Sequence, residues 1–194
     1  MTGRPADLGG KISMCGDPGR GFERPETWAA ALDGVERVHL FPFAGPQSGF
    51  AERAVEAGTR RFVVDSAVAA GFAEGGTPTS ALERHLADER GWHRGVERSV
   101  EATGVEWTHV RPGLLATWAL GWADEIRTAG EVCAPYPGSA SVVVHEADAA
   151  EIAVSALLTD DHVGATYTVT GPVTTPPLTD TPAVLLNAAR PAPR

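Results

Sequence analysis

The chain has 194 residues, 43% of them hydrophobic and 21% charged, which is enough to bury one sizeable core. Its formal net charge of −9 provides no clustered cationic surface for phosphates, so we expect no direct binding of nucleic acid. The two cysteines, Cys15 and Cys133, fit neither a disulfide framework nor a metal site, and no apolar run is long enough to cross a bilayer. We therefore expect a soluble protein in a reducing, cytoplasmic setting, with no membrane partner.

Short β-branched runs alternate with helix-like segments, which is typical of an α/β sheet with crossover helices. In the first half of the chain we predict a short helix over residues 25–32, with Pro25 at its start and Gly34 at its end. A strand over 35–43 and a helix over 50–58 follow. The apolar run 61–66 is too short for a helix and indicates a buried parallel strand.

In the second half, Ser80 is a candidate cap for a long polar helix over 81–103, which Gly104 ends. A strand over 105–110 follows and ends at Arg111-Pro112-Gly113. Two further strands, 142–145 and 165–170, enclose a helix over 146–158. We expect residues 1–172 to form one domain and residues 173–194, rich in proline, threonine and alanine, to form a loosely ordered tail.

Several weak motifs follow one another along residues 33–172. They are Asp33-Gly34-Val35-Glu36-Arg37-Val38, Arg61-Phe62-Val63-Val64, Glu97, Gly104-Val105-Glu106-Trp107-Thr108, Arg111-Pro112-Gly113, Asp148-Ala149-Ala150 and the run 164–172. Their order and spacing resemble the NmrA-like branch of the atypical short-chain dehydrogenases/reductases. The resemblance implies a Rossmann-like parallel sheet with flanking helices that binds NADP or NAD. Members of this branch range from reductases of quinones or azo compounds to redox-sensing regulators without turnover, so the resemblance implies one of these functions.

Members of that family open with a strand, a Gly-x-x-Gly-x-x-Gly loop and a helix that hold the pyrophosphate. Residues 1–8 instead look like the turn after the family's second strand, so we expect a sheet truncated at its N-terminus. The run 16–21 has the spacing Gly-x-x-Gly-x-Gly. It fits a surface turn better than a phosphate loop, because Pro18 removes an N–H group that a phosphate would bind.

The resemblance also assigns catalytic residues. Short-chain dehydrogenases use a Tyr-x-x-x-Lys pair on a helix, and here His93 and Glu97 occupy the two places, one turn apart on one helical face. Histidine can donate a proton, but glutamate cannot replace the positive charge of lysine. Direct hydride transfer to a quinone-like acceptor, with His93 orienting or protonating it, therefore fits better than carbonyl reduction. The alternative is a solvent-facing His–Glu pair on a charged helix.

Ser66 ends a predicted strand at the position of the family's substrate-polarising serine, and a helix or turn cap is its alternative role. Ligands of open α/β sheets lie beyond the carboxyl ends of strands. On this basis Arg4 would meet the extra phosphate of NADP, and Asp17 would lie near the adenine. The cofactor-binding set is Arg4, Asp17, Phe41, Pro42, Phe43, Ser66, Pro112, Gly113 and Leu114. No spacing of histidine or cysteine predicts a metal site.

These observations predict an NAD(P)H-dependent oxidoreductase that reduces a quinone-like or other conjugated small molecule. One alternative is a non-catalytic, redox-sensing regulator that binds the dinucleotide and a protein partner, or acts as a homodimer. A second alternative is an inactive, truncated member of the family.

Overall fold

The computed structural model describes residues 24–41, 49–132, 141–172 and 174–175. Within these residues the α-helices are α1 (Trp28–Leu32), α2 (Phe50–Glu56), α3 (Ala81–Glu101), α4 (Ala123–Ala129) and α5 (Glu146–Leu158). The strands are β1 (Arg37–Leu40), β2 (Arg61–Asp65), β3 (Glu106–Pro112), β4 (Leu114–Leu115), β5 (Ser141–Val144), β6 (Thr166–Val169) and β7 (Thr174–Thr175). Turns of 3₁₀ helix cover Pro25–Thr27, Val68–Gly71 and Ala116–Trp122.

Internal contacts divide the chain into two compact units, and α5 and β6 each pass from one unit to the other. The first unit comprises Met1–Arg111 and Ile152–Tyr167, and the second comprises Pro112–Glu151 and Thr168–Arg194. None of the helices in the described part of the chain has both the length and the apolar character of a membrane span.

A four-stranded sheet in the order β1-β2-β3-β6 is the centre of the first unit. Strand β2 pairs in parallel with β1 and with β3, so that Val64 lies between Leu40 and His109. The N–H of His109 donates to Ala165 O, and the N–H of Gly113 donates to Val169 O. These bonds advance in the same direction along β3 and β6, so this pair is also parallel. The parallel α/β sheet with flanking helices is therefore confirmed.

The main core lies on one face of this sheet. Phe62 and Val64 are two residues apart on β2, so both point to the same face of the sheet, where Val96 and Val100 of α3 cover them. Helices α1 and α2 complete this layer, and the Trp28 ring meets the Phe50 ring edge-on at 5.2 Å. Helix α3 is thus fixed against the sheet by its apolar stripe, which also decides where its polar side chains lie.

Helix α3 begins where its sequence predicts and ends two residues before the predicted boundary at residue 103. The Ser80 hydroxyl accepts the N–H of Glu83, and the Glu83 carboxylate accepts the N–H of Ser80, a reciprocal capping box. The helix ends at Glu101, and Gly104 follows with φ of +76°, a backbone conformation that glycine adopts without strain.

A buried arginine closes the amino-terminal edge of the sheet. Arg61, at the start of β2, donates to Glu106 (2.7 Å), to Asp160 (2.5 Å) and to the carbonyl of Thr159 just beyond α5 (2.6 Å). Its positive charge also interacts favourably with the partial negative charge of the carbonyl groups at the C-terminal end of this helix. The charged groups at this edge therefore stabilise the fold. The opposite edge, at the carboxyl ends of the strands, is where we expect a ligand site.

The second unit contains a short three-stranded sheet in the order β4-β5-β7, in which β5 is parallel to β4 and antiparallel to β7. His145 follows β5, and its Nδ1 accepts the N–H of Ala147 at the start of α5 (3.1 Å). Gly171 lies so close to β5 that a Cβ atom there would be 1.8 Å from the carbonyl oxygen of Val143. Gly171, which belongs to the family-like run 164–172, is thus required by packing.

Three segments differ from the sequence-based predictions. Strand β1 covers only Arg37–Leu40, and β3 continues through Pro112 instead of ending at Val110. Proline is tolerated at the end of β3, because the next hydrogen bond to β6 comes from the N–H of Gly113. No element was predicted over 114–129, where the sequence has no regular period, yet β4, a 3₁₀ turn and α4 lie there.

Candidate functional site

The carboxyl ends of β1, β2 and β3 carry the candidate site in the first unit. Ser66 directly follows β2, and its N–H donates to Val110 O of β3 at 2.7 Å, so the serine lies beside the end of that strand. Its side chain is buried, and its Oγ has no hydrogen-bond partner of standard geometry among the described residues. This hydroxyl therefore lies near the Glu97 carboxylate, at the edge where open α/β sheets bind ligands.

Glu97 of α3 is fully buried between two guanidinium groups. Arg111 Nε donates to one carboxylate oxygen and Arg111 Nη2 to the other, both at 2.8 Å, and Arg94 donates to the second oxygen as well. Burial alone would raise the pKa of Glu97, but interactions with Arg111, the nearby Ser66 hydroxyl and Arg94 outweigh it and lower this pKa to about 2. Glu97 is therefore ionised at neutral pH and anchors Arg111.

His93 lies one turn before Glu97 and is also buried. Its Nε2 is 3.7 Å from the carboxylate of Glu89, and its Nδ1 is buried without a hydrogen-bond partner in the described ranges. Burial lowers the pKa of His93, although Glu89 and Glu97 act in the opposite direction. His93 is therefore neutral at pH 7, and the alternative of a solvent-facing His–Glu pair is wrong.

An acidic cluster extends from Glu97 along α3. Ligand atoms of Glu97, Glu101 and His109 lie within 4.8 Å of one another, the geometry of a candidate metal site. Glu101 already contacts His109 Nε2 (3.0 Å), and Arg94 lies 3.5 Å from Glu101. Because the guanidinium groups of Arg94 and Arg111 occupy the Glu97 carboxylate, this cluster is an ion-pair network, and a cation would have to displace them.

Asp65, the last residue of β2, lies on the opposite face of the sheet from Ser66. Its Oδ2 is 4.0 Å from Nε2 of His39 on β1, and its Oδ1 is buried with no hydrogen-bond partner in the part of the chain that the structure describes. Burial raises the pKa of Asp65 to about 6. Sequence reasoning missed this residue, although an acidic residue that ends the buried run Val63-Val64 was the available signal.

The remaining predicted site residues fall into three groups. Phe41 follows β1 and is 40% exposed beside the end of β2. Pro112 ends β3, and Gly113 and Leu114 follow it in the second unit. Four further residues lie outside the described residues: Arg4, Asp17, Pro42 and Phe43. The first unit thus brings Ser66 and Glu97 together, with His93 on the same helical face as Glu97.

Comparison with known proteins identifies the class of this chain. A family model described as NAD(P)H-binding matches residues 21–160. The NAD(P)H azoreductase of Xenophilus azovorans is 28% identical over 158 residues, which are 78% of this chain and 51% of that protein. A (4-alkanoyl-5-oxo-2,5-dihydrofuran-3-yl)methyl phosphate reductase of Streptomyces griseus is 42% identical over 76 residues, 39% of this chain and 27% of that protein.

The fold has relatives among solved structures. The NADPH-dependent quinone oxidoreductase of Escherichia coli, solved with NADPH, matches 81% of this chain and 53% of its own with a TM-score of 0.61 and 20% identity. The chain thus spans about half the length, or less, of these relatives. The fold and the match over residues 21–160 confirm the predicted resemblance to NmrA-like atypical short-chain dehydrogenases/reductases: this chain belongs to the NAD(P)H-binding family.

Proposed function

We propose that this chain is an NAD(P)H-dependent reductase of quinone-like or other conjugated small molecules. The observation that carries the proposal is the Ser66 hydroxyl, which is buried beyond β2 and has no partner of standard geometry in the described part of the chain. Buried polar groups in native proteins are almost always satisfied, so an unsatisfied one at a ligand-binding edge indicates a bound partner.

The residues at this edge fit the nicotinamide end of the cofactor. Ser66 Oγ and His93 Nδ1 are two buried polar atoms that a carboxamide or a carbonyl oxygen would satisfy. The glycines of residues 16–21 lie outside the described residues, so the fit rests on the strand ends. A bound reduced nicotinamide supplies a hydride, and the acceptor gains this hydride and one proton as the cofactor is oxidised.

The charges around Ser66 favour a conjugated acceptor over a simple ketone. Glu97 is ionised and His93 is neutral at pH 7, so neither is a strong acid at this edge. Hydride transfer to a ketone forms a strongly basic alkoxide, which needs an acid in the site during the transfer. The anion of a reduced quinone is a far weaker base, so it forms without such an acid and takes its proton from solvent afterwards. Ser66 and neutral His93 then serve as hydrogen-bond donors that orient the acceptor oxygen. The azo and quinone acceptors named for two relatives are likewise conjugated.

The test is the oxidation of NADPH and NADH by naphthoquinone, an azo dye and cyclohexanone, followed by the loss of reduced-nicotinamide absorbance. We expect turnover with the conjugated acceptors only. Ser66→Ala and His93→Asn should each lower kcat/KM by about tenfold to a hundredfold, the equivalent of one hydrogen bond to a charged group. Two matched variants on α3, Ser99→Ala and the exposed His85→Asn, should leave kcat/KM unchanged.

Binding of NADPH without reduction of any acceptor would support the alternative function of a non-catalytic regulator. If NADPH raises the midpoint of thermal unfolding but none of the acceptors is reduced, the chain is a non-catalytic dinucleotide-binding regulator and the proposal is wrong. Faster reduction of cyclohexanone than of naphthoquinone would also contradict it.

A further inference from the structure

A groove of about 600 Å³ lies in the first unit between the loop after the Val68–Gly71 turn and the first turns of α3. Its volume is within the range of sites for small organic molecules. Its walls include the apolar side chains of Phe72, Pro78, Leu86 and Ala87. Phe72 and Leu86 are 42% and 40% exposed, so part of their apolar surface is open to a ligand in the groove.

Arg90 is the cation of this groove, and its two partners hold it unequally. Its Nε donates to the carbonyl of Phe72 at 2.8 Å, which fixes the guanidinium group against the wall. Its Nη2 donates at 2.6 Å to the carboxylate of Glu74, whose side chain is 72% exposed, whereas that of Arg90 is 23% exposed. An ion pair with so exposed an acid contributes little free energy, so another anion can replace Glu74.

The loop that carries Glu74 can rearrange. Gly75 and Gly76 follow it, and a Cβ atom at either glycine would meet nothing within 4 Å, so neither is held by close packing. Glycine also gives this part of the loop the widest choice of backbone angles. Glu74 can therefore leave Arg90 without disturbing the apolar wall.

The groove adjoins the candidate site along α3. Leu86, Arg90, His93 and Glu97 recur at intervals of four, three and four residues, so they lie on one helical face. Along the helix axis, Arg90 and His93 are roughly 5 Å apart. The chain between Ser66 and Phe72 also packs on α3 through the Val68–Gly71 turn. Arg90 of the groove therefore lies one helical turn from His93, which does not itself line the groove.

We infer that this groove binds the non-reacting end of an elongated aromatic acceptor that carries an oxyanion, and that this oxyanion takes the place of Glu74 on Arg90. The inference rests on the proposed function for the reaction at the other end of the ligand. Guanidinium binds sulfonate, carboxylate or phosphate through a planar pair of N–H donors. Because the chain carries a net charge of −9, an anionic ligand needs such a local cation.

The kinetic test compares naphthoquinone sulfonate with unsubstituted naphthoquinone. Arg90→Gln should raise KM for the sulfonate by about tenfold or more, as expected for the loss of one charge-assisted hydrogen bond, and leave KM for the neutral quinone unchanged. Glu74→Gln should lower KM for the sulfonate, because a competing anion is removed. Arg84→Gln is the control, since it removes an exposed positive charge from the same helix. Equal changes of KM for both quinones would overturn the inference.

A binding test separates this inference from the proposed function. Titration calorimetry with naphthalene sulfonate, which cannot be reduced by hydride, should give a Kd that Arg90→Gln weakens and Glu74→Gln strengthens. If this pattern holds while no quinone is turned over, the groove is confirmed and the reductase proposal fails. If Arg90→Gln does not fold, Glu74→Gln decides, and an unchanged Kd in that variant would overturn the groove.

Discussion

At Glu97, two guanidinium groups share one fully buried carboxylate, and this arrangement limits what the side chain can do. Both of its oxygens accept hydrogen bonds from Arg111, and Arg94 adds a third. The family resemblance predicts that Glu97 takes the place of a ribose-binding lysine, a role that an anion already held in this way does not fit. The geometry supports a structural role for Glu97, which fixes α3 to β3 behind Ser66.

Replacement of Glu97 should therefore act on stability. Glu97→Gln leaves the guanidinium group of Arg111, whose side chain is only 14% exposed, without its counter-charge, and we expect a loss of about 3–5 kcal/mol in the free energy of unfolding. Urea unfolding measures this loss. Glu101→Gln, at a position whose side chain is 31% exposed, should cost much less.

A double variant distinguishes structure from catalysis. Glu97→Leu combined with Arg111→Met removes the pair together and should recover most of the lost stability, because buried ion pairs can often be replaced by apolar residues of similar size. Arg94 retains Glu101 as a partner in this variant. Unchanged stability in Glu97→Gln, with a large loss of kcat per folded molecule, would instead assign Glu97 to catalysis.

Among the elements, those with strong local signals were predictable. Ser80 was predicted to cap α3 and does so in a capping box, and the four-residue spacing of His93 and Glu97 correctly places both on one face. The partners of these residues were not predictable, because Arg111 reaches Glu97 only through the packing of α3 on β3. Residues 114–129 have no regular apolar period. The local signals for α4, acidic Asp124 and Glu125 at its start and Gly130 after its end, were not recognised in the sequence.

Gly171 provides a test of one such contact in the second unit. A Cβ atom at this position would overlap the carbonyl oxygen of Val143, which belongs to β5 and cannot move as a side chain could. Gly171→Ala should destabilise the protein by about 1–3 kcal/mol, the usual cost of overpacking, and should speed hydrogen exchange of the β5 amides.

Gly95→Ala is the matched control for Gly171→Ala. Gly95 lies on the exposed side of α3, where an added Cβ atom meets nothing within 4 Å. Alanine favours the helix over glycine, so this variant should gain roughly 0.5–1 kcal/mol in the free energy of unfolding. If both variants were destabilised equally, the close approach of Gly171 to β5 would not be the cause.

For the whole molecule, several shifted groups make stability depend on pH. Burial lowers the pKa values of His39, His93 and His109 below 6.5, so below that pH the unfolded chain takes up protons that the folded chain does not, and stability falls. Glu97 extends this loss, since its pKa is 4.5 in the unfolded chain and about 2 in the folded one. Its contribution is complete above 4.5 and disappears as the pH falls toward 2.

Asp65 changes the pH dependence of stability in the opposite direction. Its pKa rises from 3.8 in the unfolded chain to about 6 in the folded one, so the folded chain holds this proton longer, and stability is gained as the pH falls through this interval. Asp65→Asn should therefore be more stable than the natural chain above pH 6, by up to about 3 kcal/mol, and this advantage should vanish below pH 3.8. Urea unfolding at several pH values measures the difference. Asp88→Asn, which removes an exposed carboxyl from α3, is the matched control. An advantage of Asp65→Asn that stayed constant across the interval would mean that burial at the end of β2 does not keep the Asp65 carboxyl protonated.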